Sequence, residues 1–550
     1  MPACGAPWKQ NSGQSDHCPT ACSDLPHDPS PTRSGLVELD AVTVYVPEDF
    51  TPAEADILRR YFTNLDSPVF AFLDEFVGEL DIRGDQTFDA TVGVARAEDL
   101  YEKVFVEYGD DSVAQLGGVH LACEQASNIL TKILEWGRLM SYLEQSTRYI
   151  SYDVRLGGRY RYYRDPDILT GKFGTRYVGD MDRMFDSYSA LVESLTDHVR
   201  RVVPQGPKDS DFVYRQATRA KALDAVRGAL PSAALSNVGI YGSGQAFESL
   251  LLRMRSNSLP EARLYADLML QELRKVIPSF LRRVDQPDRG GRWSQYLVDT
   301  ATETDLAVRA LFDEVDTGDE ATESVTLTDF DPDGEDKLLA AICYSHTNHS
   351  ESAIAKRIGT MSHDEKVSLI RAYVGDRSNR RHRPGRAFER TDYRFDVLSD
   401  YGAFRDLQRH RMLTIEWQPL TPNHGYVRPE LVDDAGQAEV FDEVMDRSAG
   451  LFDALTGEYP AQAPYAVSMA YRIRYVMQFN AREAMHMLEL RSSPQGHPAY
   501  RKVALDMHRL IRDVAGHRAI ADAMTHITTE APELERLEAE RRAESRRNMS

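Results

Sequence analysis

Apolar residues recur at helical spacing along most of the chain, and this pattern predicts a helix-rich fold. The longest such stretch, residues 114–143, brings Leu121, Ile129, Ile133 and Leu139 to one face. The same spacing predicts helices over seven further stretches, at 181–203, 209–230, 260–283, 400–413, 437–455, 465–490 and 498–515.

Signals for strands are fewer and shorter. Residues 42–46 alternate between apolar and polar positions, as a short strand does. Residues 52–62 begin with a proline and acidic residues, which is typical of a helix start. We therefore expect a mixed α+β fold that is rich in helices and has short strands.

Changes in composition divide the chain into five parts. Its 550 residues exceed the size of one hydrophobic core, which stops growing at roughly 250–300 residues. Residues 1–35 are rich in Pro, Ser, Gly and Asp and are expected to be disordered. A dense run of Asp and Glu makes 291–336 an acidic linker. These breaks leave two folded domains, 36–290 and 337–525, and a charged helical tail, 526–550.

The charge and the cysteine content exclude several classes of protein. The net charge of -21 argues against nonspecific binding to nucleic acid or to an anionic membrane surface. No long apolar run is present, so we expect no membrane span, and the N-terminus does not resemble a secretory signal. Five cysteines are too few for a disulfide scaffold, which favours a reducing cytoplasm.

The N-terminal segment carries the residue types that bind metals, namely Cys4, His17, Cys18, Cys22 and His27. Cys18 and Cys22 are spaced as two zinc ligands are, but no matching second pair follows. We therefore expect a flexible tail here and no metal site.

The two halves of the chain resemble each other weakly. Leu252–Ser256, followed by a helix that begins at Pro260, parallels Leu488–Ser492, followed by a helix that begins at Pro498. The order of these pieces is the same in both halves, which indicates a fused tandem of one domain.

The first half contains a candidate anion site in Arg138–Tyr149. Arg138, Arg148 and the hydroxyl of Ser146 are groups that suit an anionic ligand, because arginine offers planar forks that match phosphate. The alternative is a helix end on which Glu144 and Arg148 form an ion pair one turn apart. The spacing alone does not separate the two interpretations.

The second half contains three adjacent basic residues, Arg409, His410 and Arg411, beside the apolar Phe404 and Leu407. Positive side chains that lie this close repel each other unless an anion compensates them. Many further arginines occur nearby, so the region is a candidate phosphate pocket. The alternative is a basic surface patch, and we expect that alternative to hold for residues 377–381.

Taken together, the two stretches resemble the signature of the flavin-dependent thymidylate synthases, Arg-His-Arg-x-x-Ser-x-Asn-Glu-x-Ser-x-Arg-Tyr. The first half matches its later part at Arg138, Ser141, Glu144, Ser146 and Arg148. The second half matches its opening Arg-His-Arg. The chain is thereby identified as a divergent tandem duplication of the domain that these enzymes share, which implies two fused, helix-rich α+β copies.

Other landmarks of the family occur in the same order. Tyr108–Val113 and Arg386–Glu389 are similar to the segment that precedes the signature. Arg227 opens an Arg-x-x-Leu-Pro element, and Asn480–His486 with the later Arg491 resembles the family's late helix. The resemblance covers most of both folded halves.

The resemblance also implies roles for particular residues. The implied substrate-binding residues are Glu144, Ser146, Arg148, Arg227, Arg409 and Arg491. Among them, the residues implied in catalysis are Ser146, Arg148 and Arg491. The implied cofactor-binding residues are Ser112, Arg138, Glu389, Arg409, His410, Arg411, Asn480 and His486. The family's glutamine three residues before the Arg-His-Arg is Asp406 here.

The activity that the resemblance implies is reductive methylation of dUMP to dTMP. FAD is the implied redox cofactor, and NADPH and methylenetetrahydrofolate are the implied co-substrates. Two alternatives stay open: flavin-dependent modification of C5 in another pyrimidine nucleotide, and a catalytically degenerate paralogue that binds nucleotide or flavin.

In this family the active site forms between subunits of a homotetramer. The first half of this chain keeps the residues that one subunit contributes, among them Glu144, Arg148 and Arg227, and the second half keeps Arg409 and Arg491 of the other set. We therefore expect one class of interface between halves to retain a complete site and the reciprocal class to be degenerate. Two chains would then form a homodimer that acts as a pseudo-tetramer.

Overall fold

The computed structural model describes residues 43–45, 115, 118–147, 150, 152–207, 209–312, 324–530 and 534–547. We call the described residues up to 312 the first half and those from 324 onward the second half. In this part of the chain, every helix is too short or too polar to cross a lipid bilayer.

Each half contains one four-stranded antiparallel sheet. The strands of the first are β1 (Thr43–Tyr45), β2 (Gly118–Ser127), β3 (Met140–Glu144) and β4 (Leu235–Ser243). Those of the second are β5 (Val325–Phe330), β6 (Asp392–Asp400), β7 (Thr414–Trp417) and β8 (Arg472–Asn480). The spatial orders are β1-β2-β4-β3 and β5-β6-β8-β7. The strand order is the same in both sheets, so the predicted duplication of an α+β domain is confirmed.

Helices make up most of the remaining described structure. Those of the first half are α1 (Asn128–Leu134), α2 (Pro166–Thr170), α3 (Gly174–Val202), α4 (Asp211–Val226), α5 (Gly244–Arg255), α6 (Pro260–Leu273) and α7 (Gly290–Phe312). Those of the second half are α8 (Gly334–Tyr344), α9 (Glu351–Ile358), α10 (His363–Val374), α11 (Tyr401–Leu407), α12 (Glu430–Asp434), α13 (Ala438–Thr456), α14 (Ala481–Arg491), α15 (Pro498–Asp513), α16 (Arg518–Asp522) and α17 (Leu537–Arg547). Short 3-10 helices lie at Arg227–Ala229, Ser279–Leu281, Arg386–Arg390 and Ala463–Ala466.

In both halves a strand turns directly into a helix at two places, and a polar side chain caps each turn. Ser127 caps α1 after β2, and Asp400 caps α11 after β6. Ser243 caps α5 after β4, and Asn480 caps α14 after β8. In each case the side-chain oxygen accepts a hydrogen bond from a backbone N–H of the first helical turn, which would otherwise lack a partner. The caps therefore fix where each of these helices begins.

The two halves are joined by backbone hydrogen bonds and by one continuous hydrophobic core. Ser232 N donates to Val467 O at 2.8 Å, and Met469 N donates to Leu230 O at 2.9 Å. Close by, a Cβ atom added to Gly228 would lie 2.9 Å from Cβ of Ala470. The halves thus approach so closely here that glycine is required at position 228.

Several of the predicted helices are wrong over part of their length. The helix α11 ends at Leu407, so residues 408–413 of the stretch predicted at 400–413 are not helical. Within the stretch predicted at 114–143, residues 118–143 form β2, α1 and most of β3 rather than one helix. Within the stretch predicted at 465–490, residues 472–480 are the strand β8. In β8 the buried residues Ile473, Tyr475 and Met477 alternate with more exposed ones. Short apolar runs fit both the strand and the helix period, so periodicity alone could not separate these elements. The predicted strand at 42–46 is confirmed by β1.

The expected acidic linker and the helical tail need correction as well. Residues 291–336 include most of α7, all of β5 and the start of α8, and β5 pairs with β6 as an edge strand. In the tail, α17 is helical as predicted, but it packs on the first half: Arg541 pairs with Asp209 at 2.6 Å. The disordered segment expected at 1–35 and the helix expected at 52–62 lie outside the described residues.

Replacing Gly228 with alanine is expected to lower the free energy of unfolding by about 1–3 kcal/mol, because the added methyl group pushes the halves apart. Gly179→Ala is the matched control. Gly179 lies inside α3 with open space around its Cβ position, so alanine should stabilise the helix by up to about 1 kcal/mol. Urea unfolding of both variants measures the difference. Equal stability of G228A and the wild type would show that the close approach does not constrain the junction.

Candidate ligand-binding site between the two halves

The site is built where the end of β3 in the first half meets the end of α11 in the second. Asp400 caps α11, and the helix carries Arg405 and Asp406 in its last turn. The Arg-His-Arg stretch follows between α11 and β7. Glu144, the last residue of β3, points into the same space, and its side chain is fully buried.

Glu144 binds positive groups from both halves. Arg405 Nη2 donates to Glu144 Oε1 at 2.6 Å, and Lys132 Nζ donates to Oε2 at 3.2 Å. Arg409 forms a further ion pair with the same carboxylate. Burial alone would raise the pKa of Glu144, but the three cations outweigh it and hold that pKa well below its ordinary value. Glu144 is therefore a buried anion that ties the two halves together.

Asp406 lies among the guanidinium groups of three arginines, one of which, Arg409, also pairs with Glu144. Its carboxylate is 3.3 Å from Arg227 Nη1, 3.7 Å from Arg409 Nη1 and 3.9 Å from Arg491 Nη1. Burial opposes ionisation of Asp406, yet the surrounding arginines keep its pKa well below the usual range. Among the described residues it is the single carboxylate that pairs with Arg227 or Arg491, so these two cations share one negative charge.

Several arginine nitrogens at the site are buried without a hydrogen-bond partner. They are Nε and Nη2 of Arg227, Nε of Arg405 and Nε of Arg409. Arg227 is 6% exposed. Its guanidinium fits there because position 402 is glycine: a Cβ atom at Gly402 would lie 3.2 Å from Arg227 Nε. Buried donors without acceptors are costly, so this arrangement favours an anionic ligand.

A hydrogen-bonded chain behind the arginines orients one of them. Arg491 Nε donates to His410 Nε2 at 3.0 Å, and His410 Nδ1 lies 3.0 Å from Glu483 Oε1. His486 Nδ1 lies 3.2 Å from the same Glu483 oxygen. Because an arginine Nε always carries hydrogen, His410 Nε2 must accept, and its Nδ1 must donate to Glu483.

The pKa values of His410 and Glu483 agree with that tautomer. Burial lowers the pKa of His410 to about 4, so the ring is neutral at pH 7. Burial would raise the pKa of Glu483, but hydrogen bonds from His410 and His486 lower it to about 2. Both ring nitrogens of His410 are therefore occupied by protein groups, and its role is to hold Arg491.

His410, Glu483 and His486 also have the composition of a metal-binding triad, since one donor atom of each lies within 4.8 Å of the others. A metal would need the lone pair of His410 Nδ1. Arg491 places the hydrogen on that nitrogen, so the geometry favours a hydrogen-bonded network over a metal site.

The structure brings most of the predicted substrate residues together. Glu144, Arg227, Arg409 and Arg491 meet at the site described above. Ser146 lies two residues beyond β3 and is partly buried. Arg148, like the predicted cofactor residue Ser112, lies outside the described residues.

The remaining predicted cofactor residues are spread more widely. Arg138 donates to Leu413 O at 3.1 Å, and Arg411 Nη1 lies 3.5 Å from Ser141 Oγ. The side chain of Asn480 is used as the cap of α14, and Glu389 pairs with Arg386 at 2.9 Å. These four thus make protein contacts, and the geometry does not join Asn480 or Glu389 to the arginine cluster.

Sequence reasoning missed several residues of the site, among them three that support its charged groups. Lys132, Arg405 and Glu483 are buried and contact predicted residues. Lys132 and Arg405 hold equivalent positions on α1 and α11, so the internal repeat was a signal for them. The expected surface patch at 377–381 is wrong for Arg377, whose side chain is 1% exposed and pairs with Glu489 at 2.6 Å.

The reciprocal contact between the halves has a different chemistry. Trp136 stands where Arg409 stands in the other copy, and Trp417 stands where Glu144 stands. Their rings meet edge to face with centroids 5.9 Å apart, and Arg253 stacks over Trp136 at 4.4 Å. The two copies therefore meet through an ion pair on one side and an aromatic contact on the other.

A cavity of about 250 Å³ lies beside the Arg-His-Arg stretch, between the two halves. Its lining includes Trp136, Arg138, Arg253, His410 and Arg411. Nε of Arg253 is buried without a hydrogen-bond partner, and burial lowers the pKa of Arg253. A planar ring that carries acceptors or a negative charge fits this combination of an indole and guanidinium groups.

Comparisons with known proteins agree with the internal repeat. The family model described as thymidylate synthase complementing protein matches residues 76–279 and again residues 326–516. A UPF0159 protein of Chlamydia pneumoniae is 36% identical over 84% of this chain and 92% of its own length. A UPF0159 protein of Chlamydia muridarum (strain MoPn / Nigg) is 33% identical over 90% of this chain and 98% of its own.

One solved structure that resembles the chain is the crystal structure of the UMP/dUMP methylase PolB from Streptomyces cacaoi bound with 5-Br dUMP. It shares 18% sequence identity with this chain and covers 38% of it and 97% of its own length, with a TM-score of 0.29.

Glu144→Gln is expected to reduce the free energy of unfolding by roughly 3–5 kcal/mol, because it leaves the buried Arg405 of the second half without an ion-pair partner among the described residues. Glu351→Gln is the control: Glu351 and its partner Arg390 are 63% and 55% exposed, and such a pair contributes less than about 1 kcal/mol. Urea unfolding compares the two. An E144Q variant that loses no more stability than E351Q would show that the buried ion pairs of Glu144 do not stabilise the contact between the halves.

Stability should fall as the pH drops from about 6.5 to about 4, in part because of His410. Its pKa is lowered in the folded state, so the unfolded chain takes up a proton first and acid favours unfolding. The shift corresponds to roughly 3 kcal/mol. His410→Asn should remove about that much of the decline across this window, whereas His349→Asn, at an exposed histidine, should not. Unfolding curves at several pH values test this, and equal slopes for H410N and the wild type would refute it.

Proposed function

The chain belongs to the thymidylate synthase complementing protein family, and from that premise we propose that it is a flavin-dependent thymidylate synthase. It would methylate C5 of dUMP, with methylenetetrahydrofolate as the carbon donor and NADPH as the reductant of bound FAD. The observation that carries the proposal is the arginine cluster between the halves, with its buried unpaired donors.

The arginine cluster has the chemistry that a nucleoside monophosphate requires. Arg227, Arg409 and Arg491 converge from both halves on one carboxylate, and guanidinium forks bind phosphate oxygens bidentately. Their positive charge would also stabilise the negative charge that develops on the pyrimidine ring during methylation. Ser146 and Arg148, which follow β3 in sequence, would add contacts to the same nucleotide.

Two further groups would position these arginines rather than act on the substrate. Glu144 holds Arg409 at the interface through a buried ion pair. His410 accepts from Arg491 Nε and so leaves the terminal nitrogens of Arg491 directed elsewhere. An arginine with fewer rotamers to lose binds its ligand at a lower entropic cost.

The cavity beside the Arg-His-Arg stretch would hold part of a flavin cofactor. The proposal is supported by its combination of an indole, guanidinium groups and a buried unpaired nitrogen. Arg138, Arg253 and Arg411 would hold its polar edges, and Trp136 would pack against its ring. FAD, when bound, would supply the electron transfer. His486, Asn480 and Glu389, which resemble the family's flavin residues, would contact other parts of it.

Membership of this family also suggests the partners: a small nucleotide and a folate as ligands, and a second copy of the chain. The homodimer would form a pseudo-tetramer of four related domains. The net charge of -21 disfavours nucleic acid and anionic membranes as partners.

Binding of dUMP to the purified protein should weaken at least about tenfold in Arg409→Ala and in Arg491→Ala, because each variant loses a charged donor. Arg428→Ala is the control, since Arg428 pairs with Asp442 away from the cluster. Isothermal titration calorimetry measures the affinities, and the absorbance spectrum of the same preparation detects flavin. If R409A and R491A bind dUMP as the wild type does, the composite nucleotide site is wrong.

Rescue of a thymidine-requiring bacterium separates the remaining possibilities. Growth without thymidine supports thymidylate synthesis. A protein that binds flavin and dUMP but does not rescue growth is better explained by modification of another pyrimidine nucleotide. A protein that binds neither flavin nor dUMP would refute the enzyme proposal.

A further inference from the structure

We propose that Asp406 is a specificity-determining residue, an internal counter-anion that makes the arginine cluster select a phosphate monoester over a more highly charged phosphate. The inference rests on the proposed function in that it assigns a nucleoside monophosphate to this site. It goes beyond that function because it explains which phosphates the site rejects.

The geometry of Asp406 is unusual for an ion pair. Its carboxylate lies within 4 Å of Arg227, Arg409 and Arg491, but two of the three distances, 3.7 and 3.9 Å, exceed hydrogen-bond range. Coulombic attraction persists at such distances, whereas hydrogen bonds do not. Asp406 thus reduces the positive potential of the cluster while leaving most of its N–H donors free for a ligand.

No neighbouring carboxylate of the described chain replaces Asp406 in this role. Glu144 pairs with Lys132, Arg405 and Arg409 but not with Arg227 or Arg491. Asp400 lies near Arg227, but its side chain caps α11, and burial raises its pKa. Neutralising Asp406 would therefore leave Arg227 and Arg491 without an ion-pair partner among these residues.

The charge of the ligand decides how strongly it responds to this carboxylate. Coulombic energy scales with the product of the charges, so one additional positive charge attracts a trianion more strongly than a dianion. With Asp406 ionised, a phosphate monoester meets a cluster whose positive charge is partly cancelled. Without it, the site would favour diphosphates. The signature pattern has a neutral glutamine at this position, where this chain has the ionisable Asp406.

The test uses the full-length protein with inorganic phosphate and inorganic pyrophosphate as probes. Asp406→Asn and Asp406→Gln both remove the charge, and the second introduces the residue that the family pattern has, which guards against a failure to fold. Asp396→Asn is the matched control, because Asp396 pairs with Arg474 at 2.9 Å in the second sheet. Isothermal titration calorimetry at fixed pH and ionic strength gives both affinities for each variant.

We expect both charge-removing variants to bind pyrophosphate more tightly and to shift the ratio of pyrophosphate to phosphate affinity at least about tenfold toward pyrophosphate. D396N should keep the wild-type ratio. Asp406→Glu, which retains the charge, should also keep it. A merely structural role for Asp406 would weaken both anions together and would not change the ratio.

Three outcomes would overturn the inference. The first is a ratio of pyrophosphate to phosphate affinity that is unchanged in D406N and D406Q. The others are loss of binding of both anions in these variants and the absence of anion binding by every form of the protein. Titration with dUMP separates this result from the proposed function. Wild-type protein that binds dUMP while the ratio is insensitive to Asp406 refutes only the role of Asp406. Protein that shows the shifted ratio but does not bind dUMP refutes only the nucleotide assignment.

Discussion

The buried ion pairs of Glu144 are the interaction on which the rest of the site depends. One carboxylate from the first half satisfies cations from both halves, with Arg405 at 2.6 Å. Two ions taken out of water lose their hydration, and only close, well-oriented partners offset that cost. The two copies must therefore dock in one register, and that register also brings Arg227 to Gly402 and Asp406.

Duplication allowed the two contacts between the copies to diverge. In a symmetric dimer of identical subunits, every interface residue is used twice. In the fused chain each copy can change alone. The positions that form the Glu144–Arg409 ion pair at one contact are occupied by Trp417 and Trp136 at the other. An aromatic contact packs the halves together through ring surfaces and does not depend on a carboxylate–guanidinium pair. The chain thus joins its halves through buried ion pairs on one side and through an aromatic contact on the other.

Uncharged neighbours hold the arginines of the site in position. His410 accepts from Arg491, and Gly402 leaves room for Arg227. Arginine side chains are long and lose considerable rotamer entropy on being fixed. Fixing them beforehand in the folded protein reduces what a ligand must contribute on binding. Such support is visible only in the packing around each side chain.

The sequence by itself determined the family, the duplication and the inventory of charged residues, because short motifs keep their order and spacing along the chain. It also indicated that Glu144 and Arg227 of one half would complement Arg409 and Arg491 of the other. It did not determine where strands replace helices, as in β2 and β8, because short apolar runs fit both periods. Only the tertiary structure decided which partners the charges have, since Glu144 and Arg405 are 261 positions apart. It also decided the tautomer of His410 and the burial of Arg227, because contacts between distant segments, rather than local spacing, set the geometry and the solvent exposure of a side chain.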